Sequence, residues 1–362
     1  MSPRAITAWA IAFSLAFGAC APAGPPARTT AGPAGTPSGA AARSAPPSAP
    51  ASASAPPRLP ALPGADAARP SPGKGIPFVG HLLIADRGNA RIVEIDPAGN
   101  ETWAFPAKGE VVPPHFGPWD DAFYTPDRAQ VIANAEDDQV VIAIDVATAR
   151  ITWHAGIPGV REKGAAGFDT PDDAVPALDG TIHVADIRNC RIVHLSGSGE
   201  YLGALGSGIC RHDPPRSFGS PNGAFPTPDG GLVVTEINGS WVDWLRPDGT
   251  LDRAVRTPAA YPSDALPYPD GSVLLTDYSR PGQVIRIAKD GSVRWRYRPK
   301  GTRALDHPSI ALPLAQDRVA VCDDHGGRVI IVDPTTDEVV REYTTVGGVR
   351  LHLPDGLSYR AD

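Results

Sequence analysis

The fold is decided by two similar stretches, Ile84-Ala85-Asp86-Arg87-Gly88-Asn89-Ala90-Arg91-Ile92 and Val184-Ala185-Asp186-Ile187-Arg188-Asn189-Cys190-Arg191-Ile192. Each begins with a short apolar run that ends in an acid. Four further runs end in the same way, so that an acid or amide recurs six times, at Asp86, Asn134, Asp186, Glu236, Asp277 and Asp323. Short apolar runs that recur at a period of tens of residues predict an all-β repeat architecture.

A second set of polar residues lies at a constant distance from the first. Its members usually come directly after proline, with Trp119 in that place once, and they are Asp120, Asp172, Asn222, Ser263, Ser309 and Asp355. The first five precede the acids or amides at 134, 186, 236, 277 and 323 by 14 residues each, although the repeat length varies from 41 to 52. Turns such as Pro228-Asp229-Gly230 lie between the two sets and predict an antiparallel hairpin.

Two further strands follow each hairpin, which makes about four strands per repeat and predicts a propeller blade. The residue two after each second-set member is Ala in five repeats and Leu357 in the sixth, as expected for strands crowded around a central axis. The first repeat lacks an inner strand, and the last inner strand, 357–361, lacks a partner. We therefore predict an all-β, six-bladed propeller of four-stranded blades over residues 76–362, closed by the C-terminal strand completing the blade that begins near Phe78.

Residues 84–92 and 184–192 resemble the NHL repeat, and the similarity extends more loosely over 76–362. The resemblance implies that the acids ending the apolar runs, such as Asp86, hold the following loop in a turn. Ala143-Ile144-Asp145, with Thr148 and Trp153, resembles the tryptophan-docking motif of PQQ-type propellers. Quinoprotein dehydrogenases of that type have eight blades, so six blades argue against a bound PQQ.

The N-terminus predicts export. Arg4 is followed by an uncharged run, and Gly18-Ala19-Cys20 resembles the end of a bacterial lipobox. We expect a lipoprotein-type signal peptide over 1–20, acylation of Cys20 with palmitate, and a membrane-anchored lipoprotein facing the extracytoplasmic side. The alternative is plain secretion with Cys20 incidental. Residues 21–75, rich in Ala, Pro, Ser and Gly, predict a disordered linker, and no later apolar run is long enough to span a bilayer.

The charge balance excludes nucleic acid as a partner. The chain carries −7 in total, while residues 1–75 hold six basic residues and one acid, so residues 76–362 carry −12. A body this anionic does not neutralise phosphates. We expect a monomer that contacts the membrane through its lipid anchor alone and binds a small molecule, a glycan or an envelope protein.

The hairpin geometry brings both polar sets to one rim of the ring, where the long loops 106–118, 157–170 and 208–220 also lie. Oxygen ligands that converge on an axis suit Ca²⁺, and similar six-bladed proteins of the gluconolactonase and paraoxonase type hold calcium there. The candidate metal ligands are Asp120, Asp172, Asn222, Asp264 and Asp355. The alternative is that these side chains cap the loops entering the inner strands.

Four histidines fall in rim loops and are the candidate catalytic residues: His115, His212, His307 and His325. Three of these imidazoles would make an open Zn²⁺ site. This option ranks behind Ca²⁺ because the histidines lie at different distances along the chain from the nearest residue of the second polar set. A single His acting as base or nucleophile, as in similar arylsulfotransferase propellers, is the other option. In the same rim, Cys190 and Cys210 flank the last strands of one blade, and an exported protein is expected to join them in a disulfide, leaving Cys322 a buried thiol.

The sequence is compatible with two functions. The first is an envelope-tethered binding or scaffold lipoprotein that recognises its ligand through an acidic central funnel. The alternative is a Ca²⁺- or Zn²⁺-assisted hydrolase or lyase acting on lactones, esters or sulfate esters at the same funnel. The fold hosts both kinds of protein, so the sequence leaves open whether the chain is an enzyme.

Overall fold

A computed structural model describes residues 76–361, which form six four-stranded antiparallel sheets and one two-stranded hairpin. The predicted signal peptide 1–20, with Cys20, and the predicted linker 21–75 lie outside the described residues. The described residues include four 3-10 helices, at Arg87–Asn89, Ile187–Asn189, Gly301–Arg303 and Ala315–Asp317. Within the described part, no helix has the length and apolar character to cross a bilayer.

The blades follow one another along the chain, and each begins with its innermost strand except the first. The strands are β1 (His81–Asp86), β2 (Arg91–Ile95), β3 (Glu101–Phe105), β4 (Ala122–Tyr124), β5 (Gln130–Ala135), β6 (Val140–Asp145), β7 (Arg150–Gly156), β8 (Pro171–Pro176), β9 (Ile182–Asp186), β10 (Arg191–Leu195), β11 (Tyr201–Leu205), β12 (Pro221–Pro226), β13 (Leu232–Glu236), β14 (Trp241–Leu245), β15 (Leu251–Arg256), β16 (Pro262–Pro267), β17 (Val273–Asp277), β18 (Gln283–Ile287), β19 (Val293–Tyr297), β20 (Pro308–Pro313), β21 (Val319–Asp323), β22 (Arg328–Asp333), β23 (Glu338–Tyr343), β24 (Thr345–Val346), β25 (Val349–Arg350) and β26 (Pro354–Arg360).

The C-terminal strand closes the ring. β26 pairs antiparallel with β1, with Leu357 opposite Ile84 and Pro354 opposite Asp86, so blade 1 has the strand order β26-β1-β2-β3. Blades 2 to 6 are β4–β7, β8–β11, β12–β15, β16–β19 and β20–β23. This confirms the predicted closure. Joining the two ends of the propeller in one sheet removes the free edge that each would otherwise expose.

The core lies between adjacent blades. Ile132 and Val141 of blade 2, for example, pack with Ala174 and Val184 of blade 3, and all four are fully buried. Burying a valine or isoleucine side chain contributes about 1.5–3 kcal/mol, so every blade depends on its neighbours for stability. The alanines predicted to crowd the axis are buried as well, as Ala174 illustrates.

The acids that end the apolar runs join two loops. Asp86 accepts hydrogen bonds through Oδ2 from Asn89 Nδ2 at 2.8 Å and Arg91 Nε at 2.7 Å, in the loop that follows it. Its Oδ1 accepts one from the backbone N–H of His352 at 2.9 Å, in the loop that enters β26. Asp186 makes the equivalent three contacts. The predicted loop-holding role is confirmed and extends to the entering loop.

Tryptophans on outer strands dock onto the next blade. The indole N–H of Trp103 donates to Val146 O at 2.9 Å, that of Trp153 to Gly197 O at 3.1 Å, and that of Trp295 to Asp337 Oδ1 at 2.9 Å. The docking motif was recognisable in the sequence once, around Trp153, whereas the contact itself occurs in three blades. The predicted disulfide between Cys190 and Cys210 is formed, and Cys322 is a buried free thiol.

Candidate functional site

The inner strands of all six blades line one cavity at the centre of the ring, which we call the axial funnel. Its volume is about 80 Å³. Its lining residues are Arg87, Asp120, Asp121, Glu136, Asp172, Ile187, Asn222, Tyr261, Ser263, Asp264, Tyr278, Ser309 and Asp355. All five residues named from the sequence as candidate metal ligands are among them. Six carboxylates and one guanidinium therefore face a space that holds only a few water-sized groups.

Three buried carboxylates meet beside the funnel, which two of them line, and form what we call the inner triad, Asp121, Asp173 and Asp264. One oxygen from each lies within 4.8 Å of the others, and their exposed fractions are 5%, 1% and 4%. No N–H or hydroxyl group of the described residues donates to Asp173, whose carboxyl shares a hydrogen bond with that of Asp264. Burial, reinforced by the neighbouring carboxylates, raises the pKa of Asp121 and of Asp173 well above the ordinary range, and burial raises that of Asp264 to about 7.

Glycine makes room for the inner triad. The triad residues each follow a member of the second polar set, and the residues at the equivalent position in blades 4 and 1 are Gly223 and Gly356. A Cβ atom on Gly223 would lie 2.9 Å from Asp264 Oδ1 and 3.0 Å from Asp173 Oδ2. One on Gly356 would lie 2.7 Å from Asp121 Oδ1. All three acids are recognisable in the sequence as an Asp directly after a member of the polar set, although only Asp264 was named there as a candidate metal ligand.

Arg87 is the cation of the outer funnel, and the sequence analysis missed it. Its Nη1 lies 2.9 Å from Asp120 Oδ1 and 3.5 Å from Asp355 Oδ2, and its Nη2 lies 3.1 Å from Asp137 Oδ2 and 3.6 Å from Glu136 Oε2. Burial raises the pKa of Asp120 to about 8 against the opposing effect of the guanidinium. Burial lowers the pKa of Arg87, but the surrounding carboxylates outweigh it and the net shift is upward.

Capping explains part of the polar ring. Asp120 Oδ2 accepts a hydrogen bond from the backbone N–H of Glu136 at 2.8 Å, and Ser309 Oγ donates to the backbone carbonyl of Asp355. Asn222 Nδ2 donates to the Asp172 carboxylate, which leaves Asn222 Oδ1 buried without a partner in the described structure. The ring therefore combines side chains that cap the backbone with oxygens that remain available to a ligand.

The four rim histidines occupy three places. His115 Nδ1 lies 3.1 Å from Asp138 Oδ1, whereas His212 stacks on Trp241 and lies 3.1 Å from Glu236 Oε1. His307 and His325 lie together, with ring centroids 4.3 Å apart. The structure thus brings two of these imidazoles together, and within residues 76–361 no three of them share a site.

Tyr278 connects this imidazole pair to the axial funnel. It lines the funnel, its ring centroid lies 4.9 Å from that of His307 and 6.1 Å from that of His325, and its hydroxyl donates to Asp324 Oδ2 at 2.6 Å. Burial, with the charges of Asp355 and Asp324, raises the pKa of Tyr278 above its ordinary value. A phenol with two imidazoles beside it offers the groups that acid–base chemistry at the funnel mouth would use.

The funnel lining does not fit pyrroloquinoline quinone. This cofactor is a tricyclic quinone that itself carries carboxylates, and ligand pockets of drug size occupy about 300–1,000 Å³. A funnel of about 80 Å³ lined by six carboxylates is too small for the ring system and has the wrong charge for its acid groups.

Six four-stranded blades around an acidic axial funnel define a six-bladed β-propeller with one polar site on its axis. The family model described as "Outer membrane protein assembly factor BamB" (PQQ_2) matches residues 51–192 and 202–351. The chain therefore belongs to this family of PQQ-type propellers. No curated protein sequence matches the chain.

Solved structures similar to this chain support the fold. A protein of unknown function from Bacteroides caccae matches with a TM-score of 0.55 and 16% sequence identity, over 77% of this chain and 98% of that one. A chain of a nidogen/laminin complex matches with a TM-score of 0.54 and 16% identity, over 77% of this chain and 97% of that one. At such identities the likeness concerns the fold alone.

Proposed function

We propose that this chain is a binding and scaffold protein of the cell envelope, tethered through acylated Cys20, whose axial funnel holds Ca²⁺ as part of its ligand-recognition surface. The observation that carries the proposal is the inner triad. No N–H or hydroxyl group of the described structure donates to Asp173, and its carboxyl shares a hydrogen bond only with another acid of the triad, Asp264. Buried charges of this kind require either a proton or a cation.

The donor set favours Ca²⁺. Calcium takes 6–8 oxygen ligands at about 2.3–2.6 Å, so that oxygens bound to one ion lie within about 5 Å of each other. The triad oxygens lie within 4.8 Å of one another, and Asn222 Oδ1 adds an unpartnered neutral oxygen to the same funnel. The small volume leaves space for the ion and its waters, not for a buried sugar or other organic ligand.

The ligand therefore contacts the ring from outside the funnel. A small molecule, a glycan or an envelope protein would present one group to the funnel mouth, where a bound Ca²⁺ and Arg87 favour an acidic oxygen. Residues outside the strands, such as Arg87, Glu136 and Tyr261, line the funnel, and the neighbouring loops would supply the remaining contact area. The family description, which names an outer membrane assembly factor, is consistent with an envelope scaffold.

Calcium binding is the first test. We expect the full chain, stripped with EDTA and titrated calorimetrically at about pH 8, to bind one Ca²⁺ and to melt at a higher temperature with Ca²⁺ than without it. Asp173→Asn removes one charge of the triad without changing its shape and should lower the affinity at least tenfold. Asp229→Asn, in an exposed turn, is the matched control. Absence of binding by the wild type, or equal binding by Asp173→Asn, would refute the calcium site.

The contact of Tyr278 with two imidazoles favours the metal-assisted hydrolase as a second candidate. If the funnel is catalytic, the calcium-loaded protein should hydrolyse lactones, esters or sulfate esters, and Tyr278→Phe should reduce kcat by about 10²–10⁴ while Ca²⁺ binding persists. His115→Gln, on a separate rim loop, serves as the control. A panel of such substrates left intact by the loaded wild type, or equal rates in Tyr278→Phe, would count against catalysis and leave the binding function.

A further inference from the structure

A second cluster of ligating side chains lies away from the funnel, between blades 3 and 4. His212 is in the loop between β11 and β12, Glu236 ends β13, and Asp243 lies within β14. His212 Nδ1 is 3.1 Å from Glu236 Oε1 and 3.9 Å from Asp243 Oδ2, and one ligand atom from each residue lies within 4.8 Å of the others. We call these three residues the loop cluster.

Asp243 is the observation that points to a ligand. Its exposed fraction is 0%, and no N–H or hydroxyl group of the described structure donates to its oxygens, although its carboxyl shares a hydrogen bond with that of Glu236. Glu236 is equally buried, and its Oε2 accepts one hydrogen bond, from the backbone N–H of Gly219 at 2.6 Å. No lysine or arginine among residues 76–361 forms an ion pair with either carboxylate. Two carboxylates buried beside one imidazole are costly unless a proton or a metal ion compensates them.

The loop cluster is rigidly supported on the imidazole side. The His212 ring stacks on Trp241 with centroids 4.0 Å apart and an interplanar angle of 4°. Two residues before His212, Cys210 is joined to Cys190, which ties this loop to the end of β9 and its 3-10 helix. The imidazole is therefore held with Nδ1 facing the two carboxylates, an arrangement that a metal ligand requires.

We propose that His212, Glu236 and Asp243 form a binding site for a divalent transition-metal ion, Zn²⁺ by ligand type. Imidazole nitrogen with carboxylate oxygen suits zinc, whereas calcium takes oxygen ligands alone. Tetrahedral ligands at about 2.0–2.2 Å from zinc lie about 3.3–3.6 Å apart, and the spacings of 3.1 and 3.9 Å bracket that value. Because His212 is partly exposed, the fourth position would take a water. The proposal does not depend on calcium in the funnel.

The test uses zinc alone as the probe on the EDTA-stripped full chain. We expect one Zn²⁺ per chain by elemental analysis after dialysis, and a Co²⁺-substituted form with the visible absorption of a tetrahedral site. Asp243→Asn and His212→Gln should each weaken zinc binding at least tenfold. His115→Gln, another rim histidine beside one carboxylate, and Asp173→Asn, in the inner triad, should bind zinc as the wild type does.

Asp243→Asn keeps the test decisive. It removes a buried charge without changing shape, so this variant should fold and, in the absence of metal, melt no lower than the wild type, while losing the rise in Tm that zinc produces in the wild type. A wild type that binds no zinc, or zinc binding that survives in both loop-cluster variants, would overturn the proposal. In the first case the two carboxylates share a proton instead. A wild type that binds zinc but not calcium would refute the proposed function and still support the zinc site.

Discussion

Raising the pH from about 5 to about 8.5 without divalent cations should lower the free energy of unfolding by several kcal/mol, the largest effect we expect. The cause is the axial funnel, where burial raises the pKa of Asp120 to about 8 and that of Asp264 to about 7, and raises those of Asp121, Asp172 and Asp355 as well. In the unfolded chain the same carboxyls titrate near pH 4.

The direction of the effect follows from proton uptake. Between about pH 4 and pH 8 the folded state binds more protons in the funnel than the unfolded state does, so stability falls as pH rises through this window and is largest at its acidic end. For Asp264 alone, a pKa of about 7 in the folded state against 3.8 corresponds to a loss on the order of 4 kcal/mol. The carboxyls are close neighbours, so their contributions do not add independently.

Chemical denaturation at several pH values measures this effect. With EDTA the unfolding midpoint should move to lower denaturant concentration as pH rises, and Ca²⁺ should restore most of the loss at about pH 8.5 while changing little at about pH 5. Asp173→Asn should flatten the profile. Asp229→Asn should leave it unchanged. A wild-type midpoint that stays level or rises over this window would show that the funnel carboxyls do not titrate as buried groups.

Arg87→Met should lower the free energy of unfolding by about 3–5 kcal/mol at about pH 9.5, where Asp120 is ionised, in the absence of metal, the second largest effect. The substitution keeps most of the side-chain volume but removes the guanidinium that lies 2.9 Å from Asp120 and 3.1 Å from Asp137. Removing one partner of a buried ion pair is costly because the remaining charge has no compensation. At about pH 5 the loss should be smaller, because Asp120 is then protonated.

Arg211→Met is the matched control for Arg87→Met. Arg211 lies on an exposed rim loop and pairs with Asp213 at 3.3 Å, and an exposed pair of this kind contributes about 0–1 kcal/mol. Denaturation curves at both pH values compare the two variants. Equal losses in Arg87→Met and Arg211→Met, or a loss in Arg87→Met that is the same at both pH values, would contradict the role assigned to Arg87.

Much of the fold was predictable from local sequence patterns. The six blades, the closure by β26 and the disulfide were all predictable, because strand alternation, turns and a constant register between two polar sets are features of neighbouring residues. The rim on which the polar ring lies followed from the same hairpin geometry. Acylation of Cys20, export and the nature of the partner remain predictions, since they concern residues or molecules outside the described structure.

Which side chains meet at each site was less predictable from the sequence. Sequence alone determined that acids and histidines of several blades reach one face of a closed ring. Only the tertiary structure decided that Arg87 projects toward Asp120 of the next blade, that the inner triad meets where glycines leave space, and that His212 faces Asp243 rather than another imidazole. The physical reason is that contacts between blades depend on how the twisted sheets pack around the axis, and this packing is set by side-chain volumes across the whole ring rather than by any local repeat.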